Sequence, residues 1–146
     1  LVKTEAVLAG FDEAIVLNRD GYVAEGSGEN VFVVMNDKLY TPSLDDGALP
    51  GITRNTVIEL AREELGMEVI EGHINRTQLY LAQEAFLTGT AAHLTPMVEL
   101  DSRAIADGQV GPISTRLRDL YFSVATGNHP KYMHWCTPAT PRMVPT

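Results

Sequence analysis

The first third of the chain contains two pairs of strand-like segments, and each pair is joined by a very short turn. "EAIVLN" and "YVAEG" flank a turn that contains Asp20-Gly21, and Asp-Gly tolerates the positive φ angles of a tight hairpin. "NVFVVM" and "KLYTP" flank Asn36-Asp37 in the same way. Because connections this short join antiparallel neighbours, the pattern predicts two successive β-hairpins.

Helices and further strands follow the hairpins. Apolar residues recur at helical spacing in 53–65, where Gly66 supplies a C-terminal stop, and in 113–127. The residues expected to face the core from these two helices are Val57, Ile58, Ala61, Leu65, Ile113, Leu117, Leu120, Tyr121 and Val124. Shorter helices are predicted at 1–9 and 76–83, strands at 67–74, 84–90 and 94–100, and an irregular segment at 43–51. This order predicts one α+β domain with a loosely packed tail from Asn128.

Composition excludes several functional classes. The net charge of −8 at pH 7 argues against a nucleic-acid surface, and no apolar run approaches membrane-spanning length. The four histidines are scattered without cysteine or carboxylate partners at ligand spacing, so no metal site is predicted. The single cysteine, Cys136, excludes an intramolecular disulfide and fits a reducing compartment. These features indicate an acidic, soluble protein of the cytoplasm, and the start at Leu1, without Met or a signal pattern, suggests a fragment of a longer chain.

Two segments expose backbone amides to a ligand if they fold as their composition suggests. "LPGITR" places Gly51 and Ile52 directly before a helix with Thr53 at its start, which is typical of a phosphate site; alternatively, Thr53 only caps the helix. "LTGTAAH" ends a strand in small residues from Gly89 to Ala92, which leave the backbone open to a ligand or simply form a tight corner.

A third segment, "EGSGEN", places carboxylates between glycines inside a strand pattern. Glu25 on a buried face is costly unless a positive charge meets it, whereas a bulged strand end would leave Glu25 and Glu29 facing water. Taken together, an anion cradle, an amide-rich turn and an isolated carboxylate suit a phosphorylated cofactor with a basic ring nitrogen.

The order of these segments resembles the signature of the class IV (fold-type IV) pyridoxal-phosphate aminotransferases. The residues that fill the places of that signature are Glu25, Asn30, Val31, Phe32, Leu39, Thr41, Leu49, Gly51, Ile52 and Arg54. "FLTGTAA" and "HPKYMHW" are most similar to the branched-chain amino-acid aminotransferases within this group. The resemblance covers nearly the whole chain and implies the large C-terminal domain of that α+β fold, over residues 1–146.

The resemblance also implies roles for individual residues. Glu25 matches the carboxylate that contacts the pyridine nitrogen of pyridoxal 5'-phosphate. The residues that match the phosphate cradle and its loop are Leu49, Gly51, Ile52, Thr53 and Thr90. The amides of Thr90, Ala91 and Ala92 match the turn that binds the substrate carboxylate. Glu29 and Asn30 are expected to support the loop, and Arg54, at the first turn of a helix, is expected to face solvent.

One departure from the family concerns the Schiff-base lysine. In the family this lysine lies in a Lys-x-x-Gly-Asn-Tyr-like stretch just before the helix with which this chain begins, so it is expected upstream of Leu1. None of Lys3, Lys38 and Lys131 matches that context. The phosphate-binding arginine, the substrate-binding tyrosines and the smaller N-terminal domain of the family are not matched either. The chain by itself is therefore expected to contain no catalytic residue and to be inactive.

The implied activity of the parent enzyme is transamination of valine, leucine or isoleucine with 2-oxoglutarate, in a homo-oligomer. A D-amino-acid aminotransferase and an aminodeoxychorismate lyase share the cofactor site and are the nearest alternatives. A non-catalytic binding module that has lost the lysine is the alternative from a different class. No nucleic acid or membrane is expected among the partners.

Overall fold

The computed structural model describes residues 1–137. Its helices are α1 (Val2–Leu8), α2 (Ile52–Glu64), α3 (Arg76–Tyr80) and α4 (Pro112–Ala125), with 3₁₀ turns at Leu44–Asp46 and Pro130–Trp135. Its strands are β1 (Ile15–Leu17), β2 (Val23–Gly26), β3 (Asn30–Met35), β4 (Lys38–Pro42), β5 (Val69–Gly72), β6 (Glu84–Gly89), β7 (His93–Met97), β8 (Glu99–Leu100) and β9 (Arg103–Ala104). None of the helices in this part of the chain has the length and apolar character needed to cross a membrane.

Both predicted hairpins are confirmed. β1 pairs antiparallel with β2, and β3 pairs antiparallel with β4. Asn36 and Asp37 have φ angles of 50° and 59°, so the turn between β3 and β4 is made by two left-handed residues. Gly21 reaches φ 85° in the first hairpin, where glycine has no Cβ to oppose a positive φ.

A five-stranded sheet in the order β5-β4-β3-β6-β7 forms the centre of the molecule. Three of its four contacts are antiparallel, and β5 lies parallel to β4 because the chain crosses over through α2. β3 has five consecutive buried residues, which explains why its sequence is apolar without alternation. Phe32 of β3 stacks on Phe86 of β6, with their ring centroids 5.1 Å apart.

The sheet separates two apolar cores. One face packs against α2 and α4, and the residues predicted to point inward from these helices are buried or packed against this core. The other face packs against β2, α3 and the segment that follows β9, through residues such as Val23, Ile74, Leu79 and Ile105. The predicted α+β architecture is therefore confirmed for the described residues, and β3 contributes to both cores.

The predicted loose tail is wrong for its first part. Tyr132, in the 3₁₀ turn Pro130–Trp135, is only 2% exposed and packs into the α2–α4 core. Nζ of Lys131 lies 2.7 Å from carboxylate oxygens of both Glu63 and Glu64. Aromatic burial and these ion pairs fix the segment against α2, which its loop-like composition did not indicate. The rest of the tail lies outside the described residues.

A buried carboxylate closes the N-terminus of α4. Glu84 of β6 is 7% exposed, and its oxygens accept hydrogen bonds from the N–H groups of Ile113 and Ser114 at 2.9 and 2.7 Å. The hydroxyl of Ser114 donates to the same carboxylate at 2.6 Å. These bonds and the positive end of the helix compensate for the burial of the charge.

Candidate cofactor-binding site

The N-terminus of α2 is open to solvent. Its N-cap is Gly51, in an extended conformation with φ −66° and ψ 138°, and no side chain in the described part of the chain caps it. The first N–H groups of a helix have no partner within the helix, so the amides of Ile52 and Thr53 are available to a ligand. Ile52 is 85% exposed and Leu49, just before the helix, is 67% exposed. Amide donors and apolar surface are thus presented side by side.

Thr53 is the second residue of α2 and lies inside the helix, so it is not the N-cap. A threonine caps a helix from the position before the first helical residue, which here is Gly51. The alternative in which Thr53 serves only as the helix cap is therefore wrong. The Thr53 residue is buried within the first turn of α2, with 6% of its surface exposed.

Two side chains from the "EGSGEN" segment hold the loop before α2. The side-chain amide of Asn30 donates to the carbonyl oxygen of Leu49 at 2.8 Å. The N–H of Leu49 donates to Oε2 of Glu25 at 2.9 Å. A Cβ at Gly51 would lie 2.2 Å from Oδ1 of Asn30, so only glycine permits this approach. The predicted supporting role of Asn30 agrees with this geometry, and the Glu25 carboxylate lies against the loop that starts α2.

The turn between β6 and β7 contacts the same region. Gly89 and His93 are the last paired residues of this hairpin, and Thr90, Ala91 and Ala92 form the connection. A Cβ at Gly89 would lie 3.4 Å from the carbonyl oxygen of Gly28 and 3.4 Å from Cγ of Glu29. The three segments singled out in the sequence are therefore brought together by the β2–β3 connection.

Glu13 lies at the start of a predicted strand, and no pattern in the sequence marks it as part of the site. Nζ of Lys3 lies 2.7 Å from Oε2 of Glu13, and the N–H of Ala14 donates to Oε1 at 2.8 Å. Burial alone would raise the pKa of Glu13, but the hydrogen bonds from Lys3 and Ser27 outweigh it and lower the pKa to about 2. Glu13 is therefore an anion directly behind the "EGSGEN" turn.

Arg54 does not face solvent, and that prediction is wrong. Its side chain is buried, donating to the carbonyl oxygen of Pro42 at 3.0 Å and to Oε2 of Glu71 at 2.9 Å. The crossover from β4 through α2 to β5 packs the first turn of the helix over these strand ends. Arg54 therefore ties α2 to the ends of β4 and β5.

All three lysines are bound to carboxylates. Hydrogen bonds that the lysine ammonium groups donate to Glu13, Glu68 and Glu63 are the largest of the effects that raise the pKa of Lys3, Lys38 and Lys131, respectively. A lysine nucleophile needs a lowered pKa, so that the amine is neutral when it attacks. The environments of these lysines favour the charged ammonium form, which agrees with the expectation that none of them is the Schiff-base lysine.

The expected place of the Schiff-base lysine lies upstream of Leu1. Leu1 is the N-cap of α1 and is exposed, and no side chain in the described part of the chain caps this helix. The segment that would carry the lysine precedes the described residues, so the structure does not test its position. That assignment stays a prediction.

A second polar cluster supports the irregular segment after β4. Asp46 is buried, at 3% exposed. Its Oδ1 lies 2.7 Å from Nδ1 of His73 and accepts a hydrogen bond from the side-chain amide of Asn18 at 3.3 Å. Tyr22 stacks on His73 at 4.6 Å between ring centroids. The cluster joins residues that are distant in the sequence, so no local pattern pointed to it.

Comparison with known proteins agrees with this geometry. Residues 1–100 match the family model of Amino-transferase class IV, which is more than half of the chain. The chain belongs to the class IV aminotransferases. A protein of Aquifex aeolicus named "Probable branched-chain-amino-acid aminotransferase" is 54% identical over 94% of this chain, and the branched-chain-amino-acid aminotransferase of Pseudomonas aeruginosa is 44% identical over 94% of it. The chain spans 44% of the length of each of these relatives.

Solved structures of class IV aminotransferases share the fold. The branched-chain amino acid aminotransferase of Thermobaculum terrenum in its PLP-form is 48% identical, with a TM-score of 0.92 over 94% of this chain and 45% of that one. A branched-chain amino acid aminotransferase complexed with 4-methylvaleric acid is also 48% identical, with a TM-score of 0.89 over 93% of this chain and 45% of that one. The family and the fold class inferred from the sequence are therefore confirmed.

Proposed function

We propose that this chain is the C-terminal, cofactor-binding domain, residues 1–146, of a branched-chain amino-acid aminotransferase. The parent enzyme transfers an amino group between valine, leucine or isoleucine and 2-oxoglutarate, with pyridoxal 5'-phosphate as its cofactor, in a cytoplasmic homo-oligomer. The observation that carries the proposal is the convergence of the open N-terminus of α2, the Glu25 carboxylate and the turn of residues 90–92. Relatives named for this activity support it.

The residues present fit the phosphate of such a cofactor. The amides of Ile52 and Thr53 point out of a helix end whose partial positive charge favours an anion. The absence of a side chain at Gly51 lets Asn30 approach the start of the helix and hold the loop before it. Thr90, at the tip of the neighbouring hairpin, is exposed and supplies a hydroxyl donor from the other side. In a protein of net charge −8, such local donors are what can hold an anion.

Glu25 supplies a negative charge for the ring nitrogen of the cofactor, at the end away from the phosphate. When bound, pyridoxal 5'-phosphate supplies an electron-withdrawing ring whose pull on the substrate depends on a protonated ring nitrogen. A carboxylate next to that nitrogen favours the protonated form. The hydrogen bond from the Leu49 N–H at 2.9 Å fixes one oxygen of Glu25, and thus sets where the carboxylate stands relative to the phosphate cradle.

The turn of residues 90–92 binds the carboxylate of the substrate. Thr90 and Ala91 are exposed, and the side chains of Ala91 and Ala92 are too small to cover the backbone amides. The turn is held in place by the strand pairing of β6 with β7 and by its contact with the β2–β3 connection. Its amides orient an amino acid or a 2-oxo acid through the group that both substrates share.

The proposal is tested in a complete enzyme. Such an enzyme is made by joining this chain to the part of the Aquifex aeolicus relative that it does not cover, since the matching parts are 54% identical. We expect the complete enzyme to form glutamate from valine and 2-oxoglutarate, and the 146-residue chain alone to form none. Glutamate formation by the chain alone that disappears in Lys3→Ala would show that the nucleophile has been misassigned.

The alternative functions give different results in the same assay. A D-amino-acid aminotransferase would use D-alanine in place of valine, and an aminodeoxychorismate lyase would release pyruvate from its own substrate without forming glutamate. A non-catalytic module would fold and bind pyridoxal 5'-phosphate in the complete enzyme, yet form no glutamate. Any of these outcomes would contradict the proposed activity.

A further inference from the structure

His93, the residue that follows the turn of residues 90–92, has a left-handed backbone conformation. Its φ angle is 54°, and a positive φ is uncommon for residues other than glycine. His93 is also the first residue of β7, where it pairs with Gly89 of β6. A left-handed residue at a strand end re-aims its own side chain, and strained residues of this kind cluster at functional sites. The conformation of His93 therefore has to be stabilised by contacts outside the turn.

The stabilising contacts come from α4. Consecutive side chains of a regular strand lie on opposite faces of the sheet, and Leu94 is buried in the α2–α4 core. The ring of His93 nevertheless packs on the same side. Its centroid lies 5.2 Å from the ring of Phe122 and 6.3 Å from the ring of Tyr121, in the tilted arrangement of aromatic pairs. The left-handed φ thus brings His93 against α4, and these rings favour that conformation.

The opposite face of the sheet is crowded at this position. Side chains of paired residues lie on the same face, so a regular strand would direct His93 to the face that a side chain at Gly89 would occupy. On that face, a Cβ at Gly89 would lie 3.4 Å from the carbonyl oxygen of Gly28 and 3.9 Å from Cβ of Ala92. The left-handed φ therefore keeps the imidazole away from the contact between the turn and the β2–β3 connection.

The peptide bond between Ala92 and His93 is held from both sides. The hydroxyl of Thr95 donates to the carbonyl oxygen of Ala92 at 2.8 Å, and the packed ring of His93 fixes the residue that follows. Because a peptide unit is planar, these two contacts set the orientation of the backbone at the end of the turn. α4 is itself joined to β6 through the hydrogen bond between Ser114 and Glu84. The turn is therefore held by α4 as well as by its own strands.

We infer that His93 is a positioning residue, whose ring packs on Phe122 and Tyr121 and thereby holds the turn of residues 90–92 in the conformation that binds the substrate carboxylate. The inference rests on the proposed function, because that function places the carboxylate at this turn. Without the ring contacts, residue 93 can return to the ordinary backbone region, which rotates the peptide units of the turn. The carboxylate is bound in the ground state and in the transition state, so misalignment should raise KM and leave kcat nearly unchanged.

The test uses the complete, cofactor-loaded enzyme, with 4-methylvaleric acid, the ligand in one of the similar solved structures, as the probe. His93→Ala removes the ring, and Phe122→Ala removes the surface on which the ring packs. We expect each variant to raise the Kd of the probe and the KM of valine by about tenfold, with kcat changed by less than about twofold. Phe122→Tyr keeps an aromatic ring at this exposed position and should bind the probe like the unaltered enzyme.

A rescue variant separates the backbone conformation from the imidazole itself. Asparagine tolerates a left-handed φ without help from α4, so His93→Asn should restore the Kd of the probe to within about threefold of the unaltered value. Phe122→Ala should then add little to His93→Asn, because the ring that it supports is already gone. His134→Ala is the matched control, since it removes another exposed imidazole that lies beside an aromatic ring, that of Trp135 at 5.8 Å. This control should leave the Kd and the KM unchanged.

The outcomes separate the inference from the function. If the unaltered enzyme binds the probe and the Kd is unchanged in His93→Ala or in Phe122→Ala, the inference is overturned and the proposed function stands. A Kd for His93→Asn as high as that for His93→Ala would also overturn it, because the imidazole would then act on the substrate directly. Failure of 4-methylvaleric acid to bind the unaltered enzyme would contradict the proposed function, and the inference with it.

Discussion

The N-termini of α2 and α4 have the same local chemistry, but only one of them is closed. Both N-caps are glycines in extended conformation, Gly51 and Gly111, and in the described residues neither receives a side-chain cap of its own. At α4 the carboxylate of Glu84 reaches in from β6 and accepts from two amides of the first turn. A Cβ at Gly111 would lie 2.0 Å from Cδ of Glu84, which shows how closely this end is filled.

At α2 the corresponding space is left to a ligand. The carboxylate of Glu25 bonds instead to the N–H of Leu49 in the preceding loop. The exposed Leu49 and Ile52 flank the helix end. A helix N-terminus whose amides bind a carboxylate of the protein itself has a structural role, as at α4. A helix N-terminus whose amides have no such partner can bind a ligand when neighbouring segments converge on it, as at α2.

The largest effect is expected from removing the negative charge of Glu25, which lies against the loop before the open N-terminus of α2. Glu25→Gln keeps the size of the side chain, so cofactor affinity should be nearly unchanged. The rate of proton abstraction from valine should fall by about 10²–10³-fold, because the charge matters more in the transition state than in the ground state. The measurement is single-turnover conversion in the complete enzyme. Glu29→Gln at saturating substrate should cost far less, and equal mild effects from both variants would mean that "EGSGEN" is only a solvated strand end.

Substitutions at the closed N-terminus of α4 should lower the stability of the protein and leave cofactor affinity unchanged. Glu84→Gln preserves volume, but its amide group cannot accept from Ile113 and Ser114 as a carboxylate does, so we expect a loss of about 2–3 kcal/mol in the free energy of unfolding. Gly111→Ala should give a similar loss, since the new Cβ displaces the carboxylate. Chemical denaturation measures both, and affinity for pyridoxal 5'-phosphate should be unchanged. A weakened cofactor site with intact stability would reverse the roles assigned to the two helix ends.

Thr53→Val should have the opposite result, a loss of cofactor affinity with little change in stability. The substitution removes a hydroxyl from the open end while keeping the shape of the side chain. Losing one hydrogen bond to a charged group costs about 1.5–3 kcal/mol, so cofactor affinity should fall by about one to two decades. The unfolding free energy in the absence of cofactor should change much less. The measurement is the Kd of pyridoxal 5'-phosphate in the complete enzyme, and an unaltered Kd would remove Thr53 from the phosphate cradle.

The smallest effect is expected from a substitution that makes the start of α2 resemble the start of α4. α4 has Pro112 as its first residue, and Ile52→Pro places proline at the same position of α2. Proline is favoured there, and Gly51 already has the extended conformation that a residue before proline adopts, so the helix should form as before. The variant lacks one N–H donor, and cofactor affinity should fall by about tenfold. Unchanged affinity with an unchanged circular dichroism spectrum would exclude the Ile52 amide as a phosphate donor.

Local sequence determined much of the fold. Turn dipeptides set the two hairpins, because Asp20-Gly21 and Asn36-Asp37 accept positive φ angles without help from the rest of the molecule. Apolar spacing set α2 and α4, and Gly66, with φ 63°, follows the end of α2. The family signature also identified the segments that converge at the α2 N-terminus, since its residues lie in a fixed order along the chain.

Only the tertiary structure decided which charges are buried and which helix end is open. Glu84 and Ser114 are thirty positions apart, and Arg54 and Glu71 are seventeen apart, so their contacts leave no trace in any local pattern. For the same reason the sequence did not reveal the burial of Tyr132. Hydrophobic spacing and turn preferences act over a few residues, whereas the pairing of a buried charge depends on the neighbours that packing brings to it. Gly51 and Gly111 start their helices alike in sequence, and the strand beneath each helix determined which of the two would remain available for a ligand.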